Sequence, residues 1–341
     1  MDEEGASLNM FQWTKKLMWS VLVFAIGLTV ISPVMVVAQE LKAVDFILDW
    51  VPNTNHTGLY VALEKGYFEE AGVELTIRRP PQGSTSELVG LGQAEFGISF
   101  QDSIASRFAG GLPVTAVAAI LEHNTSGILA NEATNIDEPA KMPGYSYGTW
   151  NDPIELAMLE FILESQGAAF NEVELVPNQA DNSVIGLANG MFDSAWVYYG
   201  WDGVMSGYQD VPTNFFYFKD YAPELDFYSP IIIANNDYLA EYPEEASAIM
   251  QAIKKGYQYA MEHPEEAADI LLIYAPELKE QREFVLASQQ WMSERYSSDS
   301  VKWGYMEEER WNNFYTWLFD HQLVEVDLTE GSFFTNEFLG E

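Results

Sequence analysis

Short apolar runs alternate along most of this chain with segments of helical periodicity, and that alternation predicts layered α/β structure. Val44-Asp45-Phe46-Ile47-Leu48 reads as a strand, and Tyr60-Val61-Ala62-Leu63-Glu64-Lys65-Gly66 as a helix stopped by glycine. Residues 73–77 form the next strand candidate, closed by the Arg78-Arg79-Pro80-Pro81-Gln82-Gly83 loop, after which Ser84 caps a helix through Leu91. Further strands are expected at residues 96–99, 114–121, 145–148, 195–199 and 231–234, and a helix begins at Asp102 or Ser103. Residues 235–321 read mainly as helix, with Asp237 and Pro243 as starts and Gly256, Pro264 and Pro276 as punctuation. Composition shifts at the polar bridge of residues 131–143 and again at Tyr228-Ser229-Pro230. Reading these as two hinge crossings gives one lobe from residues 41–130 and 231–341, interrupted by a second lobe at 131–230.

The amino terminus follows a different pattern. Lys15 and Lys16 precede an apolar stretch from Leu17 to Ile31, followed by Ser32-Pro33 and the small-residue pattern Val36-Val37-Ala38. Residues 1–38 are therefore expected to be a secretory signal cleaved after Ala38. The alternative is an uncleaved anchor, since the weakly polar run to Ala38 reaches the ~20 residues a membrane helix needs. Both place the chain in a periplasm or on the outer face of the cytoplasmic membrane.

Composition narrows the chemistry. The 341 residues are 48% hydrophobic, enough for ordinary cores, and contain no cysteine. Disulfides, thiolate nucleophiles and cysteine-bound zinc or iron–sulfur clusters are thereby excluded. His56, His123, His263 and His321 show no HxxxH or HExxH spacing, so neither a metal site nor a cofactor is expected. No GxSxG elbow or P-loop occurs either. Of the formal charge of −36, residues 1–38 carry −1 (Asp2, Glu3 and Glu4 against Lys15 and Lys16), which leaves −35 on the remainder. Such a surface repels nucleic acid and anionic lipid, and describes a solvated acidic coat rather than a binding preference.

The densest chemistry lies in Leu48-Asp49-Trp50-Val51-Pro52-Asn53-Thr54-Asn55-His56-Thr57-Gly58-Leu59-Tyr60, which places an acid, an indole, amides and an imidazole between a strand and a helix. The carboxyl end of a strand meets the amino end of a helix there, where open α/β sheets bind small molecules. This run resembles the opening motif of the thiamine-pyrimidine branch of ABC-transporter solute-binding proteins. Matching blocks follow in order: Ala94-Glu95-Phe96-Gly97-Ile98, the stretch from Leu112-Pro113-Val114 to Glu122-His123-Asn124-Thr125-Ser126-Gly127, and Trp150-Asn151-Asp152-Pro153-Ile154-Glu155. Trp196-Val197-Tyr198-Tyr199-Gly200-Trp201-Asp202-Gly203 and Arg310-Trp311-Asn312-Asn313-Phe314-Tyr315 complete a resemblance covering nearly everything after residue 42, specific for the formylaminopyrimidine-binding group.

The resemblance implies a type II periplasmic-binding-protein fold, two α/β lobes joined by a two-crossing hinge, with the ligand between them. It also implies a monomer that captures a thiamine pyrimidine precursor and passes it to a membrane permease, without catalysis. Trp50 and Tyr198 are then the plates that stack the ring, and Asp49 and Asp202 the acids at its edge, with Trp201 in the same run. Relatives often carry Glu where this chain has Asp202, which loosens the inference to one ligand. Asn53 serves either as a ligand contact or as a helix cap, and His56 either as a contact or as a structural hydrogen-bonder. Gln101 is a further contact candidate. Trp150 opens a turn whose N–H groups suit a formyl or phosphate oxygen, and Glu155 is either part of that site or an ordinary first-turn acid. His123 reads as a satisfied hinge-side residue, and the aromatic stripe from Tyr257 to Trp317 as core packing.

Two rivals remain. The fungal-type pyrimidine synthase of the same superfamily needs a lysine, a histidine and a cysteine-rich motif, and its lysine and histidine positions fall here at Ser99 and Ser103, where no Schiff base can form. Other binding proteins on these lobes take riboflavin, sulfonates or nitrate. The anionic ligands favour Arg or Lys at the mouth, where these motifs offer acids.

Overall fold

The computed structural model describes residues 41–80, 84–180, 182–299, 302–331 and 333–340. The predicted leader, residues 1–38, lies outside them; among the described residues no helix is long and apolar enough to cross a membrane.

Two five-stranded sheets of matching design organise the chain. Strands β1 (Lys42–Ile47), β2 (Val73–Arg78), β3 (Phe96–Ser99), β4 (Val114–Ala119) and β10 (Ile231–Asn235) form the first, in the order β2-β1-β3-β10-β4. Strands β5 (Ser126–Asn131), β6 (Ser146–Thr149), β7 (Glu174–Pro177), β8 (Ser194–Tyr198) and β9 (Thr213–Tyr217) form the second, in the order β7-β6-β8-β5-β9. In each sheet three parallel strands are followed by one antiparallel strand that has just arrived from the other lobe: β10 in the first, β5 in the second. Both are apolar runs buried along almost their whole length, as strands covered on two faces must be.

The first crossing therefore lies between Ala119 and Ser126, and the return between Tyr217 and Ile231. This corrects the expectation that residues 131–143 carry the first crossing. That polar bridge lies between two strands of the second sheet, and its composition reflects an exposed loop. At the true crossings His123 Nδ1 meets Asp226 Oδ2 at 2.6 Å, and the Asn124 backbone N–H donates to Asp226 Oδ1 at 2.9 Å. The hydrogen bond to Asp226 holds the His123 imidazole above its usual pKa.

Gly256 is a second correction. It lies inside the helix Pro243–Glu262 and interrupts nothing. Its role is close approach: a Cβ there would run into the Gly58 carbonyl oxygen, while one on Gly58 would collide with the Tyr257 ring. Two glycines thus let this helix press against Thr57–Glu64, the helix that follows the conspicuous turn. Tyr257, Tyr296, Trp303, Trp311, Phe314 and Trp317 are buried in the cores around it.

Candidate functional site

The turn after β1 is held by its own side chains. The Asn53 backbone N–H donates to His56 Nδ1 at 3.2 Å, so the ring proton sits on Nε2, which lies 2.7 Å from Asp49 Oδ1. Asn53 Oδ1 accepts the Asn55 N–H at 2.8 Å, and its Nδ2 donates to the Val51 carbonyl at 3.1 Å. The outgoing carbonyls are taken by buried tyrosines: Tyr257 donates to Asn55 O at 2.6 Å and Tyr296 to Thr54 O at 2.5 Å. Thr54 Oγ1 lies 2.7 Å from Ser288 Oγ, which in turn donates to the carbonyl of Gly200 in the second lobe. The result is a fixed frame that orients Asp49 through one of its oxygens and presents Trp50.

A cavity of about 440 Å³ opens between the lobes at this turn. From the first lobe it is lined by Asp49, Trp50, Asn53, Asn55 and Phe100; the second contributes Trp150, Asn178, Ala180, Asn182, Ser183, Trp196, Val197, Tyr198, Trp201 and Asp202. Trp50 and Trp150 are 49% and 54% exposed, whereas Tyr198 stacks on Phe100 with centroids 5.8 Å apart. Burial pushes the Tyr198 hydroxyl above its ordinary pKa, reinforced by the Asp102 and Asp49 charges. Ser229 Oγ donates to that hydroxyl at 3.3 Å. Trp201 packs edge-on against Phe284 at 4.6 Å.

Asp202 sits in a wide π-helical turn, Tyr199–Gly203, at the end of β8. Burial pushes its carboxyl up to about 7, opposed only by its own backbone. Near neutrality it is thus divided between acid and carboxylate, able to donate as well as accept. Among the described residues, no lysine or arginine lines the cavity.

Seven of the ten residues singled out in the sequence meet in this space: Asp49, Trp50, Asn53, Trp150, Tyr198, Trp201 and Asp202. His56, Gln101 and Glu155 do not line it: the contact reading of Gln101 is corrected, and of the two readings open for His56 and for Glu155 the structural one holds. His56 is fully buried beneath the turn, its two nitrogens engaged as described. Gln101 accepts the Tyr228 N–H at 2.8 Å and donates to Trp311 O at 3.0 Å, tying the end of β3 to the returning crossing and a carboxyl-terminal helix. Glu155 accepts from Tyr147 Oη at 2.9 Å, Thr149 Oγ1 at 3.0 Å and the backbone N–H groups of Trp150 and Asp152. Those N–H groups, with Asn151 N–H on Thr149 Oγ1 and Ile154 N–H on Asp152 Oδ1, are consumed within the turn. An oxygen of a ligand finds no free backbone donor among these groups, and the turn's product is the position of the Trp150 indole.

Sequence reasoning missed Asn55, Phe100, Asn178, Ala180, Asn182, Ser183, Trp196 and Val197. Asn55, Trp196 and Val197 stood inside motifs already quoted, and Phe100 directly follows β3. The Asn178–Ser183 wall left one trace, Asn182 before an apolar helical run, which is an N-cap pattern at the end of a strand.

Comparison with known proteins adds a lineage to this geometry. Residues 53–267 match the family described as NMT1/THI5 like. The chain is 26% identical over 295 residues to the formylaminopyrimidine-binding protein of Halalkalibacterium halodurans, covering 84% of this chain and 88% of that one. Among solved structures, the alkanesulfonate-binding protein of Xanthomonas axonopodis pv. citri superposes with a TM-score of 0.64 at 11% identity, over 87% of this chain and 99% of the other. The ligand-binding component of an ABC-type import system from Staphylococcus aureus superposes with a TM-score of 0.65 at 14% identity, over 87% and 98%. These superpositions establish the periplasmic-binding-protein fold.

Proposed function

The chain belongs to the NMT1/THI5-like family and has the architecture of a solute-binding protein, and from that premise we propose that it is the exported capture component of an ABC importer for a thiamine pyrimidine precursor. The solute is N-formyl-4-amino-5-aminomethyl-2-methylpyrimidine or a close analogue. The protein binds it between the lobes and delivers it to a membrane permease; no bond is made or broken.

One observation carries this reading. Among the described residues, the cavity lining joins aromatic surfaces from both lobes with two carboxyl groups and contains no cation. A flat ring gains ~0.5–1.5 kcal/mol from each aromatic face beyond the burial itself. The edge of an aminopyrimidine presents an amine donor beside a ring-nitrogen acceptor. A protonated carboxyl group answers both at once, donating O–H to the ring nitrogen and accepting N–H from the amine, and burial raises the Asp202 carboxyl toward that state, up to about 7. Asp49, with one oxygen on His56, keeps the other for a further donor. A sulfonate or nitrate would face two acids without a counter-charge, which disfavours those solutes on the same lobes. Against the synthase reading stand the lack of any cysteine in the sequence and Ser99 and Ser103 at the positions that chemistry requires.

Calorimetric titration with the formylated pyrimidine, thiamine, riboflavin and taurine tests the reading. Saturable heat is expected with the first compound and none with taurine. Silence with the first and binding of another would overturn it.

A further inference from the structure

Both hinge crossings border a second cavity of about 440 Å³, which shares no lining residue with the first. His123 and Thr125 reach it from the first crossing, Lys219 from the return, and Arg295 from the segment after the helix Arg282–Ser293. The sequence carries 52 acids against 16 lysines and arginines, yet basic side chains from three separate segments converge here. Tyr217 brings two of them together: burial raises its hydroxyl above the usual pKa and the Arg295 charge opposes that rise, while Lys219 Nζ lies 5.2 Å from its ring centroid. Glu294 and Asp299 also line the cavity, but their side chains are 78% and 79% exposed, against 35% for Arg295 and 32% for Lys219. Water screens the outer charges more than the inner ones, so the bases set the field inside. Their pairing within the protein is weak: Lys219 has Asp220 at 3.3 Å and Arg295 has Glu294 at 3.3 Å, each an exposed neighbour in sequence. His123 has Nδ1 on Asp226, and its Nε2 lies 3.3 Å from the exposed Asp299 carboxylate. The Arg295 guanidinium is fixed in place, donating to Trp291 O at 2.8 Å and lying 4.0 Å from the indole centroid. A neighbouring recess shares His123 and Lys219 but sets Arg310 against Asp226, Glu307 and Glu309, which disfavours an anion there.

We propose that this hinge cavity is a second ligand site, for a small oxyanion with two negative charges held between Lys219 and Arg295. A guanidinium fork and an ammonium each give charge-assisted hydrogen bonds to an anionic oxygen, and Thr125 adds a neutral hydroxyl donor. A dianion answers both cations, whereas a halide has one charge to offer two. The two cavities thus sort ligands by charge, the first presenting acids and the second bases. Because the lining comes from both crossings and from the segment after Arg282–Ser293, a bound anion ties together stretches of chain that a change in lobe angle must displace. It thereby stabilises the arrangement in which these segments meet.

The test titrates the protein with sodium sulfate by calorimetry and by melting temperature, with sodium chloride at equal ionic strength as the reference. That reference removes the general effect of salt on a strongly acidic surface. Sulfate should give saturable heat and a rise in melting temperature beyond that of chloride, and phosphate should compete with it. Lys219→Gln and Arg295→Gln should each weaken sulfate at least about tenfold. Lys219→Arg, which keeps the charge, should stay within about threefold of the wild type. Circular dichroism verifies that each variant is folded. Sulfate that acts no differently from chloride, or an affinity unchanged in either charge-removing variant, would overturn the site. The pyrimidine takes no part in these measurements, so the reading of the first cavity stands or falls separately.

Discussion

The two walls of the cavity are built on opposite principles. On the first-lobe side, most polar groups of the turn from Asp49 to His56 are taken by the protein, through His56, Asn53, Tyr257, Tyr296 and Ser288, and one Asp49 oxygen is left for a ligand. On the second-lobe side, the Asn178 and Asn182 NH₂ groups and the Trp196 indole N–H have no protein acceptor among the described residues, and the Asp202 carboxyl is met only by its own backbone. A platform whose hydrogen bonds are nearly complete contributes chiefly position. A wall whose hydrogen bonds are incomplete contributes selection, because a ligand supplies what the protein lacks. Ser288, reaching Thr54 on one side and Gly200 on the other, keeps the two in register.

That contrast predicts where a substitution costs stability and where it costs affinity. The largest effect should come from His56→Ala, which empties a fully buried site and strands the Asn53 N–H and Asp49 Oδ1. Urea denaturation should show a loss of about 3 kcal/mol. Trp150→Ala, half exposed on the opposite wall, should change stability by less than about 1 kcal/mol while weakening the pyrimidine severalfold. Equal stability losses at the two positions would erase the distinction.

Asp202 sharpens it further. A carboxyl whose folded pKa is raised favours folding most fully below the unfolded value and loses that contribution as pH climbs through the folded value, here from about 4 to about 7. Asp202→Asn should therefore leave thermal stability unchanged at pH 4 and raise it at pH 8, by about 2 kcal/mol after allowance for the solvent that enters the cavity. Asp202→Ala should weaken pyrimidine capture tenfold or more, whereas Asp202→Asn, which keeps a donor and an acceptor, retains most of it. Wild-type affinity should fall above pH 7 and that of Asp202→Asn should not. Unchanged affinity in Asp202→Ala would remove this residue from the site.

The smallest effect belongs to the hinge. The His123 pKa is raised by Asp226, so their pairing stabilises the fold fully below about pH 6.5 and less as pH rises through the folded value. His123→Gln should cost about 1 kcal/mol near pH 6 and nearly nothing near pH 9, read from melting curves at the two pH values. A pH-independent difference would mean that the ring acts by packing alone.

Much of the first wall was legible because its signal is local. A strand, a polar turn and a helix occur within twenty residues, and the turn's side chains bond mainly to one another. The same locality misled the reading of His56 and Glu155, since residue types suited to ligands serve equally well to complete a turn. The second wall was hidden because β7, Glu174–Pro177, is short, exposed and ends in proline, so no apolar run announced that Asn178 follows a strand. The arrival of β5 in the second sheet and the contact between Gly58 and Gly256 depend on segments far apart in the chain, and no pattern within either segment encodes them.

The most direct test is a crystal structure of the protein with the formylated pyrimidine. It should show the ring between Trp50 and Tyr198 with its amine edge on Asp202. A ring bound elsewhere, or lying in this cavity with its amine edge turned away from both carboxyls, would contradict the account.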